Sequence, residues 1–221
     1  MPEFLILQLT GPMQAWGTHT YEDFRPSNLF PTRSGLLGLI GACLGIERND
    51  LPALGRLAEH IYFTVKIHKN GIKLSDYHTV IEARRANRKP REGETVQTRR
   101  EYLFGASFYI AVGQRPGSTI SLDEIAKAIQ RPIYTPTLGR RSCPISAPLF
   151  YKKQEAATAR DALNTVFGEK GIVYDEVKPS EDKQALMMRD VPIHGRNRMF
   201  GTRMVYIHSG KNGGDDASQP G

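Results

Sequence analysis

Leu7-Gln8-Leu9-Thr10-Gly11-Pro12-Met13-Gln14-Ala15-Trp16-Gly17 and, after a short polar stretch, Phe30-Pro31-Thr32-Arg33-Ser34-Gly35-Leu36-Leu37-Gly38-Leu39-Ile40-Gly41-Ala42-Cys43-Leu44-Gly45 are the two stretches on which the fold turns. The first continues an apolar run in which Leu5, Ile6, Leu7 and Leu9 leave only Gln8 polar, the pattern of a buried strand over 4–9 that stops at Gly11-Pro12. The second predicts a helix with Ser34 as its cap and Gly45 as its left-handed end. Glycines 35, 38, 41 and 45 lack both the Gly-x-Gly-x-x-Gly spacing and the Gly-Lys-Ser/Thr ending of a phosphate loop, which predicts close packing of this helix on a sheet.

Outward from this pair, Asp50 and Pro52 suit the start of a second helix through His60, and residues 61–67 return as a strand. Asn70-Gly71 signals a hairpin between 62–67 and 72–74. Residues 76–104 are polar and basic, with enough alternation at Tyr77, Val80, Val96, Tyr102 and Leu103 for a protruding ribbon closed near Pro90. A core strand follows over 106–112, then a helix capped by Ser121 with Leu122, Ile125, Ala126 and Ile129 on one face, stopped at Arg131-Pro132. Strand, helix, strand, strand, helix and then an irregular proline-rich segment is the split βαβ order of an α+β, ferredoxin-like RNA-recognition domain over residues 1–150. A helix near 156–167 and strands near 172–177 and 203–208 predict a small C-terminal β-containing unit over 151–208, and 209–221 reads as a disordered tail.

The 221 residues carry a formal net charge of +7, which points to an acidic partner, because lysine and arginine that neutralise phosphates gain from counterion release. Cys43 and Cys143 lie far apart with no Cys-x-x-Cys pair and no histidine at ligand spacing, so neither a metal nor a cofactor is expected. No stretch reaches the ~20 apolar residues of a membrane span and no leader pattern is evident; the expected location is cytoplasmic.

Two readings of Trp16 stand side by side: a core residue, or an indole on an exposed loop that stacks on an unpaired base while Gln14 reads a base edge. Arg33 and Ser34 sit where a helix start would meet phosphate. Arg140-Arg141, between Leu138-Gly139 and Ser142-Cys143-Pro144, places two guanidinium groups on a turn, and phosphate binding is the better reading over a solvated loop. The run Arg84, Arg85, Arg88, Lys89, Arg91 either keeps the ribbon soluble or meets nucleic acid at its tip. The candidate acid-base groups are His19, His60, His68, His78, His194 and His208; His78 or His19 with Tyr77 or Arg33 would be the pair for a metal-independent ribonuclease, yet no spacing supports one.

The two opening blocks, together with Ser75-Asp76-Tyr77-His78-Thr79-Val80, Gln97-Thr98-Arg99-Arg100-Glu101-Tyr102-Leu103 and Tyr134-Thr135-Pro136-Thr137-Leu138-Gly139-Arg140-Arg141-Ser142-Cys143-Pro144, resemble the CasD family of the RAMP superfamily, strongly over about 4–150 and more thinly to Arg198, Phe200 and Arg203. The resemblance implies a non-catalytic subunit of a type I-E CRISPR Cascade complex that grips the repeat-derived 5′ handle of the guide (crRNA) and caps the backbone filament in antiviral defence. It implies as partners the crRNA 5′ handle, the backbone subunits, the large subunit and target DNA near the PAM-proximal end. On that reading the handle contacts are Gln14, Trp16, Arg25, Arg33, Ser34, Arg140 and Arg141, with Arg198 and Arg203 behind them. The ribbon becomes a thumb whose partner contacts are Tyr77, His78, Arg84, Arg85, Arg88, Arg99, Arg100 and Tyr102. The alternatives are an endoribonuclease that cuts the repeat RNA, as the related type I-C subunit does, and a general single-strand RNA binder.

Overall fold

The computed structural model describes residues 1–18, 23–82, 93–181, 183–193 and 199–210. His19, Arg84, Arg85, Arg88, Lys89, Arg91, His194, Arg198 and nearly all of the expected tail lie outside these residues.

The chain begins with β1 (Glu3–Thr10), two short strands β2 (Met13–Gln14) and β3 (Trp16–Gly17), and two more, β4 (Phe24–Arg25) and β5 (Ser27–Asn28). Helices α1 (Arg33–Leu44) and α2 (Leu51–His60) lead to β6 (Ile61–Lys69), and a long ribbon follows, β7 (Ile72–Ile81) and β8 (Thr95–Phe104). Then come β9 (Ser107–Gln114), α3 (Leu122–Gln130), β10 (Phe150–Glu155), α4 (Ala159–Phe167), β11 (Ile172–Asp175), β12 (Ala185–Pro192) and β13 (Phe200–Ser209). One seven-stranded sheet runs in the order β10-β1-β9-β6-β11-β13-β12, every neighbouring pair antiparallel. The protein is thus a mixed α/β fold built on mostly antiparallel sheet.

The near-continuous apolar runs of β1 and β9 follow from their place at the centre, where both faces are covered. Leu5, Leu7, Leu9, Phe108, Ile110 and Val112 pack under α1 and α3, while Phe4, Ile6, Tyr109 and Ala111 pack against Ala159, Ala162 and Leu163 of α4. A strand with only one covered face would have alternated. Thr32 rather than Ser34 caps α1, its side chain accepting from Gly35 N, because the helix begins two residues earlier than the sequence predicts. Gly45 closes α1 at φ 73°, and Asp50 and Ser121 cap α2 and α3 as expected.

Three expectations are corrected. Asn70-Gly71 does not turn β6 back on itself: β6 pairs with β9 and β11, and the chain crosses at Gly71 into a second sheet, where β7 pairs with β8. A Cβ at Gly71 would lie 2.8 Å from Cβ of Ala106, so the glycine serves a close crossing. The segment after Tyr151 is not a separate small unit, since β10, β11, β12 and β13 are all strands of the main sheet. The ribbon also starts earlier than residue 76, and its base is core: Leu103 is wholly buried, and β8 holds β7 along one edge and both β2 and the parallel β4 along the other.

Candidate nucleic-acid interface

Trp16 is wholly buried, so the exposed-loop reading is corrected to the core one. Its indole Nε1 donates to Gln14 Oε1 at 3.0 Å, and Gln14, equally buried, donates through Nε2 to Leu9 O (3.1 Å) and Ala106 O (2.9 Å). Gln14 therefore has every polar atom committed and no edge to offer a base. The loop 137–143 seals this pocket. Gly139, at φ 93°, brings its Cα so close to Ala15 O that a Cβ would sit 1.8 Å from that oxygen.

Arg33 is buried too, and the helix start is not open to phosphate. Its backbone N–H donates to Asp190 Oδ2 (2.7 Å), a carboxylate that β12 delivers to the N-terminal end of α1 where the helix dipole favours it. Its guanidinium pairs with Glu176 and donates to Ala58 O (2.5 Å) and Ile61 O (3.1 Å). Arg203 forks onto Asp190 (2.6 and 2.7 Å) and lies 3.3 Å from Glu176, while Arg115 reaches Glu176 at 3.2 Å. Burial works against the Arg203 charge, but Asp190 and Glu176 outweigh it and hold its pKa above the ordinary value. Arg33 and Arg203 are thus bound into an internal ion network of three guanidinium groups and two carboxylates, and neither presents a free fork. Tyr102 is likewise corrected from thumb contact to core: it is 7% exposed, with the Arg140 guanidinium 4.6 Å over its ring.

Most of the remaining candidates converge. β4 runs beside β8 with Phe24 opposite Arg99 and Arg25 opposite Arg100. Arg140 donates to Arg25 O (2.8 Å) and Glu101 O (2.9 Å), clamping the 138–143 turn to both strands, and Arg141 follows it fully into solvent. Arg25 and Arg100, cross-strand neighbours, and Arg140 come from three separated stretches and meet on one face of β4-β8, with Arg141 next to them, while Arg99 points to the opposite face of β8. Glu101, whose side chain faces the base of the ribbon, is occupied by Ser27 N and Lys73 Nζ, both at 3.0 Å. Burial raises its carboxyl, but these two donors and the nearby Arg140 outweigh that and hold it below the usual carboxylate range.

This basic surface stands at one end of an open groove of about 1350 Å³ that reaches Gly139. Its floor is the outer side of α1, Ser34, Gly35, Gly38 and Gly41, and its walls are Arg48-Asn49, Tyr134-Thr135 and Pro192-Ile193. The expectation that the α1 glycines pack the helix onto the sheet is corrected for Gly38, which is exposed and would find nothing within 4 Å of an added Cβ. Gly35 does pack, against the Trp16 ring. Among the histidines, His78 lies on β7 opposite Thr98, with Tyr77 beside it on the alternate face, so neither joins the buried Arg33. Among the described residues no three His, Cys, Asp or Glu groups gather as metal ligands, and no helix is long and apolar enough to cross a membrane.

Residues 4–206 match the family described as CRISPR-associated protein (Cas_Cas5). The chain belongs to this Cas5 family. The CRISPR system Cascade subunit CasD of Escherichia coli (strain K12) is 43% identical over 227 residues, spanning 99% of this chain and all of that protein. Among solved structures, a chain of a CRISPR RNA-guided surveillance complex superposes with a TM-score of 0.76 at 27% identity, covering 94% of this chain and 90% of that one. A second, described as the crystal structure of a Cas protein, covers 94% of each chain with a TM-score of 0.66 at 22% identity, a likeness of fold.

Proposed function

We propose that this protein is a non-catalytic RNA-binding subunit of a type I-E Cascade complex, holding the repeat-derived 5′ handle of crRNA along the α1 groove and on the arginine surface at its end. The observation that carries the reading is the meeting of Arg25, Arg100 and Arg140, with Arg141 next to them, from three distant stretches beside the open groove along α1. Arginine forks match phosphate oxygens, and a firm turn lowers the entropy lost when they bind. The order β10-β1-β9-β6 with α1 and α3 across one face supports a ferredoxin-like RNA-recognition reading, and the 43% relative is named a Cascade subunit. The β7-β8 ribbon is then the thumb, with Tyr77 and the outer arginines toward backbone and large subunits, and target DNA near the PAM-proximal end passing by the assembled complex.

Arg140 is a clamp as well as a charge, so the test uses its outer neighbours. Arg100→Gln with Arg141→Gln should leave the melting temperature nearly unchanged and weaken binding of a handle-bearing RNA, flattening log Kd against log salt by about 0.7 per lost contact. Unchanged affinity and slope in filter binding would remove the arginine surface from the interface. Repeat RNA incubated with the pure protein in chelator should remain intact; specific scission lost in His78→Ala would favour the ribonuclease instead.

The groove has its own test in Gly38. An exposed glycine inside a helix costs about 1 kcal/mol relative to alanine, and the fold gives no packing reason for it. Gly38→Leu should raise thermal stability slightly while obstructing the floor, and handle affinity should fall by about tenfold or more. A stabilised variant that still binds normally would move the RNA off α1.

A further inference from the structure

On the face of the sheet away from α1 and α3, helix α4 covers Phe4, Ile6 and Ala111, then ends at Phe167 with Gly168 as its cap. Where the helix stops, Tyr151 of β10, Tyr109 of β9 and His68 of β6 form a row of rings across the strands. Tyr109 is the middle of the row: the Tyr151 ring meets it edge-on at 6.1 Å between centroids, His68 lies 5.1 Å away, and Phe167 stacks flat on it at 3.4 Å. Tyr109 and Phe167 are largely spent on one another, the tyrosine being 8% exposed, whereas Tyr151 is 44% exposed and His68 is open to solvent. Rings left open on a firm aromatic base mark an interaction surface. In the order β10-β1-β9-β6, with α1 and α3 on the far side, this is the open face of the four-stranded unit, the face on which sheets of this kind stack unpaired bases.

The charges around the rings select the partner. Lys152 follows Tyr151 and stands opposite Ile6, so its side chain lies on the α4 face; Lys69 stands opposite Ser107, just past His68. Lys170 belongs to the loop after α4, which passes so close to β6 that a Cβ on Gly171 would lie 3.1 Å from Ile67 O. Among the described residues none of these three lysines has a carboxylate partner. Glu169, the acid of the same loop, favours instead the charge of the buried Lys66, and Lys153, on the other face of β10, is the lysine that pairs with Glu3 and Asp123. Uncommitted cations around open rings call for a polyanion that carries flat groups of its own. Single-stranded nucleic acid is such a partner, its phosphates answering the lysines and its bases the rings. A duplex keeps its base faces inside and would meet the lysines alone.

We propose that this end of the sheet is a stacking platform for single-stranded nucleic acid, separate from the α1 groove and the arginine surface and on the opposite face of the sheet. Tyr151 and His68 offer the ring faces, Tyr109 and Phe167 hold them in place, and Lys69, Lys152 and Lys170 take the backbone.

The test uses the full-length protein carrying Arg100→Gln and Arg141→Gln, in which the arginine surface is weakened, as the parent. A fluorescein-labelled oligouridylate without any repeat sequence, and its deoxyuridine counterpart, are titrated into it and followed by anisotropy. Tyr151→Ala should weaken binding about tenfold with the salt slope unchanged, and Tyr151→Phe should bind as the parent does, because stacking needs the ring and not the hydroxyl. Lys152→Gln with Lys170→Gln should instead flatten the slope, by about 0.7 per lost contact. With thiouridine in the strand, ultraviolet crosslinks should fall on Tyr151 or His68. Equal affinity for the two strands identifies bases and phosphates as the whole of the recognition, and a preference for RNA adds the 2′-hydroxyl. No binding by the parent, undiminished binding by Tyr151→Ala, a loss that Tyr151→Phe shares, or crosslinks that map only elsewhere overturns the platform and leaves the rings to a protein neighbour. The handle reading is tested by the arginine pair itself, so either can fail without the other.

Discussion

Replacing Trp16 with alanine is expected to destabilise the protein by about 3–5 kcal/mol, the usual range for deleting a large buried aromatic. The side chain is wholly enclosed. Its removal opens a cavity against Gly35 and leaves Gln14 Oε1, whose partner was the indole N–H, with no donor. Both losses act on stability, so thermal or urea unfolding of the purified variant is the measurement. Handle affinity, read at a temperature where the variant is still folded, should change little. A variant that melts normally but loses RNA would restore Trp16 to the binding surface and retire the core assignment.

The second large effect belongs to Glu176. Glu176→Gln removes the carboxylate that faces Arg33 and Arg115 and lies near Arg203, leaving buried guanidinium charge with only Asp190 to balance it. Breaking one partner of such a buried set costs about 3–5 kcal/mol, whereas replacing both partners with apolar groups is often close to neutral. Glu176→Gln should therefore lower the unfolding midpoint strongly, and Arg33→Met with Glu176→Leu should recover much of that loss. Equal damage from the single and double variants would show that the shape of Arg33 against Phe63 and the Ala58 and Ile61 carbonyls, rather than the charge balance, is what matters there.

How much of this was legible from residues alone can be traced element by element. The β1 strand, α1 to Gly45, the Asp50 and Ser121 caps and the long ribbon are local patterns, and each appears within a few residues of its expected place. Asn70-Gly71 misled because turn chemistry reports a change of direction without reporting which strand the chain meets next. The strand β12 was missed: Ala185–Pro192 carries no clean alternation, and it becomes a strand by pairing with β13 rather than through its own pattern. At the candidate site Arg99 and Arg141 are exposed and Arg25 and Arg100 half-buried, whereas Arg33 and Arg203, which look no different from them in sequence, are interior. Their counter-ions, Glu176 and Asp190, stand far away along the chain, and only tertiary structure brings them together. Trp16 posed the same problem, since the loop that closes over it comes from residues 137–143.

The network at the head of α1 also sets an order of events during synthesis. Arg33 is among the first helical residues to leave the ribosome, yet Glu176 and Asp190 emerge only after most of the chain has been made, and Arg203 later still. Until then the first helix has an unanswered positive charge where its core must close and no carboxylate at its dipole's positive end. The amino-terminal half is therefore held in waiting for the last strands, and a nascent chain cut short before residue 190 is left without the counter-charges that would let it settle, open to the proteases that clear unfinished polypeptides.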